Sequence, residues 1–403
     1  MKKILFICID GLTDPLGQSQ IIPYFNGLSR LGHDVMLLSA EKSINLEQNR
    51  STIEQILQDT SIKWEFIHYR NRPPLISSCM NYAALKRKAI KLMAKYQFDV
   101  VHCRSVMPAM IGHALKLKFG NKLIFDMRGF WADERIEGKL WNLKHPIYNY
   151  LYRFFKKKER QLFEVSDYII SLTENGKEFI YKHFNTKNNF QVIPCAADLN
   201  HFDPRRIPEN ELDKLRDSLG IDKDTYVLTY IGSLGTRYRL KDMLRFFKFL
   251  QQEMSNCKFL FVTKSDPTQI TDSCDDLNIS REHLIITSSN YQNIPHYIAL
   301  ADASIFFIVT SFSGKAVSPT KQAEVMGMGL PIVANEGLGD TDRILLESGT
   351  GVLIEGYDNE SLENAVSKLI TFNKSKEEVR EEAMKRFALE HAIGKYAEVY
   401  QKL

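Results

Sequence analysis

Nothing in the 403 residues stays apolar for the roughly 18 positions that a membrane-crossing helix needs. Charge of one sign is not in excess either. Lys plus Arg is 53, Asp plus Glu is 49, and the net charge is only +4, so any argument about partners must come from local runs. Cysteine is sparse and scattered: Cys8, Cys79, Cys103, Cys195, Cys257 and Cys274 include no Cys-x-x-Cys pair. That argues against a disulfide framework or a zinc site and fits thiols in a reducing compartment. No Gly-x-Gly-x-x-Gly follows the first apolar run, against a dinucleotide dehydrogenase. No Gly-x-Ser-x-Gly elbow is present, against a hydrolase of that type. Solenoid repeats, low-complexity tracts and a strongly basic domain are also missing, so nucleic acid is not an expected partner.

What is there is ordinary globular composition, 44% hydrophobic and 25% charged. At roughly 150 residues per domain, the length suits two large domains. Met1-Lys2-Lys3 and the short run Ile4 to Ile9 read as a buried first strand, because the run is too short for a signal peptide and no cleavage site follows. A helix at Gln18 to Leu31 follows, then strands at Val35–Leu38, Trp64–Ile67, Val100–Val101, Leu123–Phe125, Asp167–Leu172 and Gln191–Ile193. Asp198 to Asn210 carries Pro204, Pro208 and paired Arg205-Arg206, a linker composition. Strands restart at Tyr226–Ile231, Lys258–Thr263, Leu284–Thr287, Ser304–Val309 and Pro331–Ala334, with helices between, and Ser375 to Leu403 reads as a long helical tail. Such alternation predicts two α/β domains, each a doubly wound parallel sheet, with ligands at the carboxyl ends of the strands in a cleft between them.

Ser318-Pro319-Thr320-Lys321-Gln322-Ala323-Glu324 is the most informative stretch. Ser318 suits a helix N-cap and Pro319 the first helical position. Unpaired backbone N–H groups then stand beside Ser318, Thr320 and Lys321, an anion site fit for a diphosphate. Glu324, one turn on, can accept hydrogen bonds from both hydroxyls of a ribose. The plain alternative is a capped helix with solvated charges. Asp222-Lys223-Asp224 has the Asp-x-Asp form of metal-dependent enzymes, but it precedes a strand at a turn, so no metal is expected there.

Ser-Pro-Thr-Lys-x-x-Glu followed by Gly329-Leu330-Pro331-Ile332-Val333-Ala334 resembles the donor segment of retaining GT-B glycosyltransferases of glycosyltransferase family 4. The loop Asp10 to Gln20, Gly32-His33-Asp34-Val35, Asp99-Val100-Val101-His102, Val192-Ile193-Pro194 and Tyr230-Ile231-Gly232-Ser233-Leu234-Gly235 match in order along the chain. The resemblance implies a GT-B fold of two Rossmann-like domains. Residues 1–197, joined by a returning helix 385–403, form the acceptor side; 198–212 is a linker; 213–384 binds the nucleotide-sugar. It also implies transfer of a hexose-type sugar to an acceptor hydroxyl with retention, with a UDP- or GDP-sugar as co-substrate and no metal or other cofactor. Lys321, Ser318 and Thr320 would hold the diphosphate, Glu324 the ribose, and Tyr291 would flank the base. Gly17, Gln18, Gly232 and Ser233 belong to the donor side.

Two departures stand out. Family members have two glutamates separated by seven residues. Glu324 matches the second, but the first falls on Ala316, so sugar contact must come from elsewhere, with the backbone N–H groups of Gly314 to Ala316 as candidates. The family's Arg and Lys after the first strand of the second domain fall on Ser233 and Tyr238. Arg237 or Arg239 could restore the charge, and Arg237 lies nearer the glycine turn.

On the acceptor side, Asp126, Arg128, Asp133 and Glu134 cluster after a strand, with Arg104 after another. Asp133 or Glu134 could orient or deprotonate the acceptor hydroxyl, or the cluster could be internally paired. Residues 85–97 and 141–160 are basic, the second interleaved with aromatics, as in interfacial helices. This suggests a cytoplasmic enzyme at the inner face of a plasma membrane, acting on a glycan or lipid-linked acceptor in bacterial surface-polysaccharide assembly; solvated helix faces are the alternative. A non-catalytic donor-binding scaffold subunit and a nucleotide-sugar epimerase are the rival functions. The sequence does not name the oligomeric state.

Overall fold

The computed structural model describes every residue except 185 and 187. The chain divides into two compact units, Met1–Ala196 with Leu389–Leu403, and Ala197–Ala388.

The first unit runs β1 (Lys3–Ile7), α1 (Pro15–Gln20), α2 (Ile22–Arg30), β2 (Asp34–Glu41), α3 (Ser43–Gln58), β3 (Lys63–His68), α4 (Ile76–Tyr96), β4 (Val100–Arg104), α5 (Val106–Phe119), β5 (Lys122–Asp126), α6 (Trp131–Glu137), α7 (Pro146–Val165), β6 (Tyr168–Ser171), α8 (Glu174–His183) and β7 (Asn189–Val192). Its seven strands are parallel in the order β3-β2-β1-β4-β5-β6-β7. Phe6 sits in register between Leu37 and His102. Helices cover both faces, so central strands such as Ile4–Ile7 are apolar throughout instead of alternating. On one face α5 packs between α4 and α7.

The second unit runs α9 (Glu209–Leu219), β8 (Tyr226–Ile231), α10 (Leu240–Glu253), β9 (Cys257–Val262), α11 (Thr268–Leu277), β10 (Leu284–Thr287), α12 (Ile294–Ala299), β11 (Ala303–Phe306), α13 (Thr320–Gly327), β12 (Ile332–Asn335), α14 (Thr341–Ser348), β13 (Gly351–Ile354), α15 (Asn359–Ile370) and α16 (Lys376–Phe387). Its six parallel strands are ordered β10-β9-β8-β11-β12-β13. The final helix, α17 (Leu389–Gln401), packs on α2 in the first unit. In each sheet the strand order reverses once, at β1/β4 and at β8/β11, and such switch points open a crevice at the carboxyl rim.

Four expectations are corrected. The helix foreseen at Gln18–Leu31 is two helices broken at Ile21, because Pro23 has no N–H to continue the first ladder and instead opens α2. The strand foreseen to Val309 stops at Phe306, since the Ile308 N–H is taken by the Asn335 side chain at 2.7 Å instead of a strand neighbour. The single tail helix is interrupted at Ala388, which is extended and bridged to Ala197. The segment 198–212 is built into the second unit, with Leu199 and Phe202 buried in its core.

Candidate active site

At the carboxyl rim of the second sheet, α13 begins at Thr320, one residue later than expected. Pro319 keeps an extended ψ of 117° and occupies the cap position, so Ser318 is not the N-cap. A proline cap offers no side-chain acceptor, and the N–H groups of Thr320 and Lys321 precede the first bond of the turn, from the Gln322 N–H to the Pro319 carbonyl at 3.0 Å. Lys321 leans back from this end. Its Nζ is shielded from solvent and, among the described residues, makes no hydrogen bond of good geometry, with Tyr238 its nearest polar neighbour. It lies 4.1 Å from the ring centre of Tyr230 and 4.3 Å from that of Tyr238. Gly232, at φ +115°, is the wall on a third side, and a Cβ there would stand 3.4 Å from the Lys321 Nζ. Burial pulls the Lys321 pKa down, opposed by Tyr238 and by Glu324. Burial also pushes Glu324 up to about 7, with Lys321 opposing it. An ammonium over two ring faces, with no carboxylate bonded to it among the described residues, is chemically able to pair with an anion.

Arg237 joins this corner. Its Nη2 donates to Ser313 Oγ at 3.1 Å, and its carbonyl accepts from the Val309 N–H at 2.7 Å. Arg239 is committed elsewhere, bonded to Asp242 at 2.7 Å and stacked 3.7 Å over Tyr357. Of the two cations that could replace the missing charge, Arg237 is therefore the one held at the 3-10 turn that leads to α13.

Ala316 is fully buried in the 3-10 turn Ser313–Ala316, so an acidic side chain at that position would sit inside the core. The backbone candidates for sugar contact narrow, because the Gly314 and Lys315 N–H groups are spent on Ser311 and Phe312 carbonyls. Ser233 is exposed, and its carbonyl accepts the Tyr230 hydroxyl at 2.8 Å. Tyr291 stacks on His201 at 5.1 Å and meets Phe202 edge-on, so one of its faces is already covered. Asp222–Asp224 lies in a turn, with the Thr225 N–H bonded to the Asp222 carbonyl.

The rim of the first unit is organised differently. Asp126 is buried and accepts from the Tyr396 hydroxyl at 3.2 Å, with Arg128 at 3.8 Å and His102 at 3.6 Å. Burial alone would raise the Asp126 pKa, but Arg128 and His102 together hold it below the usual value. His102 Nδ1 meets the Tyr400 hydroxyl at 2.6 Å. Arg104 is buried and pairs with Asp10 at 3.2 Å. The cavity lined by Gln20, Tyr24, His102, Arg104, Asp126 and Tyr396 is about 10 Å³, on the order of one water and too small for a sugar. Asp133 accepts from Tyr152 at 2.9 Å and Lys156 at 2.8 Å, the internally paired alternative. Glu134 lies against Gly129 at the turn after β5. Gly17 has a packing reason for being glycine, since a side chain would collide with the Gly11 carbonyl and Leu12. Gln18 donates to the Thr13 carbonyl at 3.2 Å.

Two family models match in tandem: Glycosyltransferase Family 4 over residues 25–201 and Glycosyl transferases group 1 over residues 212–386. The chain belongs to the family 4-type GT-B glycosyltransferases. A protein named as an uncharacterized glycosyltransferase of Methanocaldococcus jannaschii is 21% identical over 77% of this chain and 76% of its own. Among solved structures, sucrose-phosphate synthase of Thermosynechococcus elongatus aligns at TM-score 0.73 with 14% identity, covering 100% of this chain and 99% of that one. Anabaena HepE, solved with UDP and glucose, aligns at 0.72 with 15% identity over 100% of both chains. At such identities the structures attest the GT-B fold.

Two parts of this glycosyltransferase were not visible beforehand. Tyr230 forms the floor under Lys321, and its only signal was its place just before the glycine turn. Glu41, fully buried at the end of β2, accepts from the N–H groups of Leu12 at 2.7 Å and Thr13 at 3.2 Å and from the Thr13 and Ser39 hydroxyls. It pins the first loop; an acid ending an apolar strand beside a glycine loop was the available clue.

Proposed function

We propose that the chain is a retaining, metal-independent hexosyltransferase that uses a nucleotide-sugar, of the UDP or GDP class, to extend a glycan or lipid-linked acceptor in surface-polysaccharide assembly. The observation that carries this reading is the buried Lys321 ammonium, with no carboxylate bonded to it among the described residues, at the open N-terminus of α13. Lys321, Arg237, Ser318, Thr320 and the first N–H groups of α13 bind the diphosphate and neutralise the charge that grows on it as the anomeric C–O bond breaks. These fixed charges stand where another enzyme would place a cation. The acceptor oxygen then bonds the oxocarbenium-like carbon from the face the diphosphate leaves, and its proton passes to the departing diphosphate oxygen. Glu324 accepts from the ribose hydroxyls in its ionised form, which displaces it from the neutral state that burial favours. Asp133, held by Tyr152 and Lys156, or Glu134, beside Gly129, orients the acceptor hydroxyl.

The experiment is a thermal-shift panel of nucleotides followed by product analysis with the matching nucleotide-sugars, because a donor stabilises by mass action. Transfer or slow hydrolysis with retained configuration supports the proposal. Inversion at C2 of the sugar would make it an epimerase, and tight binding without turnover a scaffold.

A further inference from the structure

In the first unit, α4 and α7 flank α5 on the same sheet face, and both start at its carboxyl rim. Each presents the same exposed sequence along its outer side, apolar at the start and cationic further on. On α4 the exposed positions are Ile76 (59%) and Met80 (40%), then Arg87 and Lys91. On α7 they are Ile147 (51%) and Tyr150 (68%), then Arg153, Lys157 and Arg160. The loop ahead of α7 adds exposed Leu140 and Leu143, flanked by exposed Lys139 and Lys144. No acidic residue occurs from position 66 to 98 or from 138 to 158. The aromatics of 141–160 are divided: Trp141 and Phe155 pack on each other and on Trp131 of α6, and Tyr150 stays out.

Large apolar side chains in water beside unopposed cations are costly to keep unless something covers them. The partner whose chemistry fits both is an anionic bilayer, with an acyl region for Ile147, Tyr150, Leu140 and Ile76, and headgroup phosphates for the cations behind them. We infer that the starts of α4 and α7 form a membrane-docking surface. This deepens the lipid-linked reading of the acceptor proposed above, because that surface shares the carboxyl rim with Arg104, Asp126 and Arg128.

The test is flotation of the full chain with vesicles of phosphatidylcholine alone or with phosphatidylglycerol added, at low and high salt, with no donor present. Binding to the mixed vesicles only, weakened by salt, is expected. I147S/Y150S and R153E/K157E should each lower the partition about tenfold or more. All four residues are exposed, so unchanged melting temperature and nucleotide binding would show intact variants. Equal binding to both vesicle types, no binding to either, or full binding by the variants would overturn the inference. So would a dimer that dissociates on I147S/Y150S, since the patch would then be a protein interface. Because no donor is used, failure here leaves the transfer reading standing, and failure of transfer leaves this result standing.

Discussion

Two sheet rims of the same architecture treat their charges in opposite ways. In the first unit Asp126, Arg128, His102, Tyr396 and Arg104 are brought close to one another and to Asp10, and burial is compensated from within. In the second, Lys321 has rings beneath it but no bonded acid among the described residues, and Glu324 is driven towards its neutral form. A charge paired inside the fold contributes to holding it together. A charge left without a counterpart costs stability until a ligand arrives, which is the arrangement expected where binding is strongest.

The contrast can be broken at its strong end first. Asp126→Ala strands Arg128 and should cost about 3–5 kcal/mol, a fall in melting temperature on the order of 10 °C, read by calorimetry. Lys321→Ala should not lower the melting temperature, because relief of the uncompensated buried charge offsets the lost Tyr230 and Tyr238 contacts, while transfer falls about 100-fold or more, read by turnover and by loss of nucleotide-induced stabilisation. Full activity in that variant would sink the donor-site assignment. Next come the pH dependences, which have opposite signs. The depressed Asp126 pKa gives stability that is present above the ordinary carboxylate value and lost as pH falls through its folded one. The raised Glu324 pKa gives stability that is fully present below 4.5 and lost as pH rises through about 7. Glu324→Gln should therefore melt higher than the parent at pH 8 and the same at pH 4. Nucleotide affinity of the parent should rise across pH 6 to 8, and the variant should lose that slope. The smallest effect separates the neighbouring arginines. Arg237→Ala should weaken nucleotide binding several-fold at constant melting temperature. Arg239→Ala should lower the melting temperature by loss of Asp242 and Tyr357 contacts and leave binding alone.

The architecture was legible because buried parallel strands must be continuously apolar, and runs such as Ile4–Ile7 and Phe259–Val262 announce themselves. Ser318 to Glu324 was legible for a local reason: helix starts have their own chemistry. Non-local facts stayed hidden. That Ser318 stands outside the helix depends on the ψ of Pro319. That Asp133 is occupied depends on Tyr152 and Lys156, which arrive from the next helix. That Ala316 lies inside the core is a matter of packing, though its absence as a carboxylate was readable.

The last helix also bears on how the molecule comes into being. Residues Ala197–Ala388 are contiguous and can complete their fold as the chain is synthesised, whereas the first unit must wait for Tyr396 and Tyr400 to close over Asp126 and His102. The earlier half of the polypeptide is thus the later half to mature. A ribosome that stops short of Leu389 would release a finished second unit attached to an open, aggregation-prone first one.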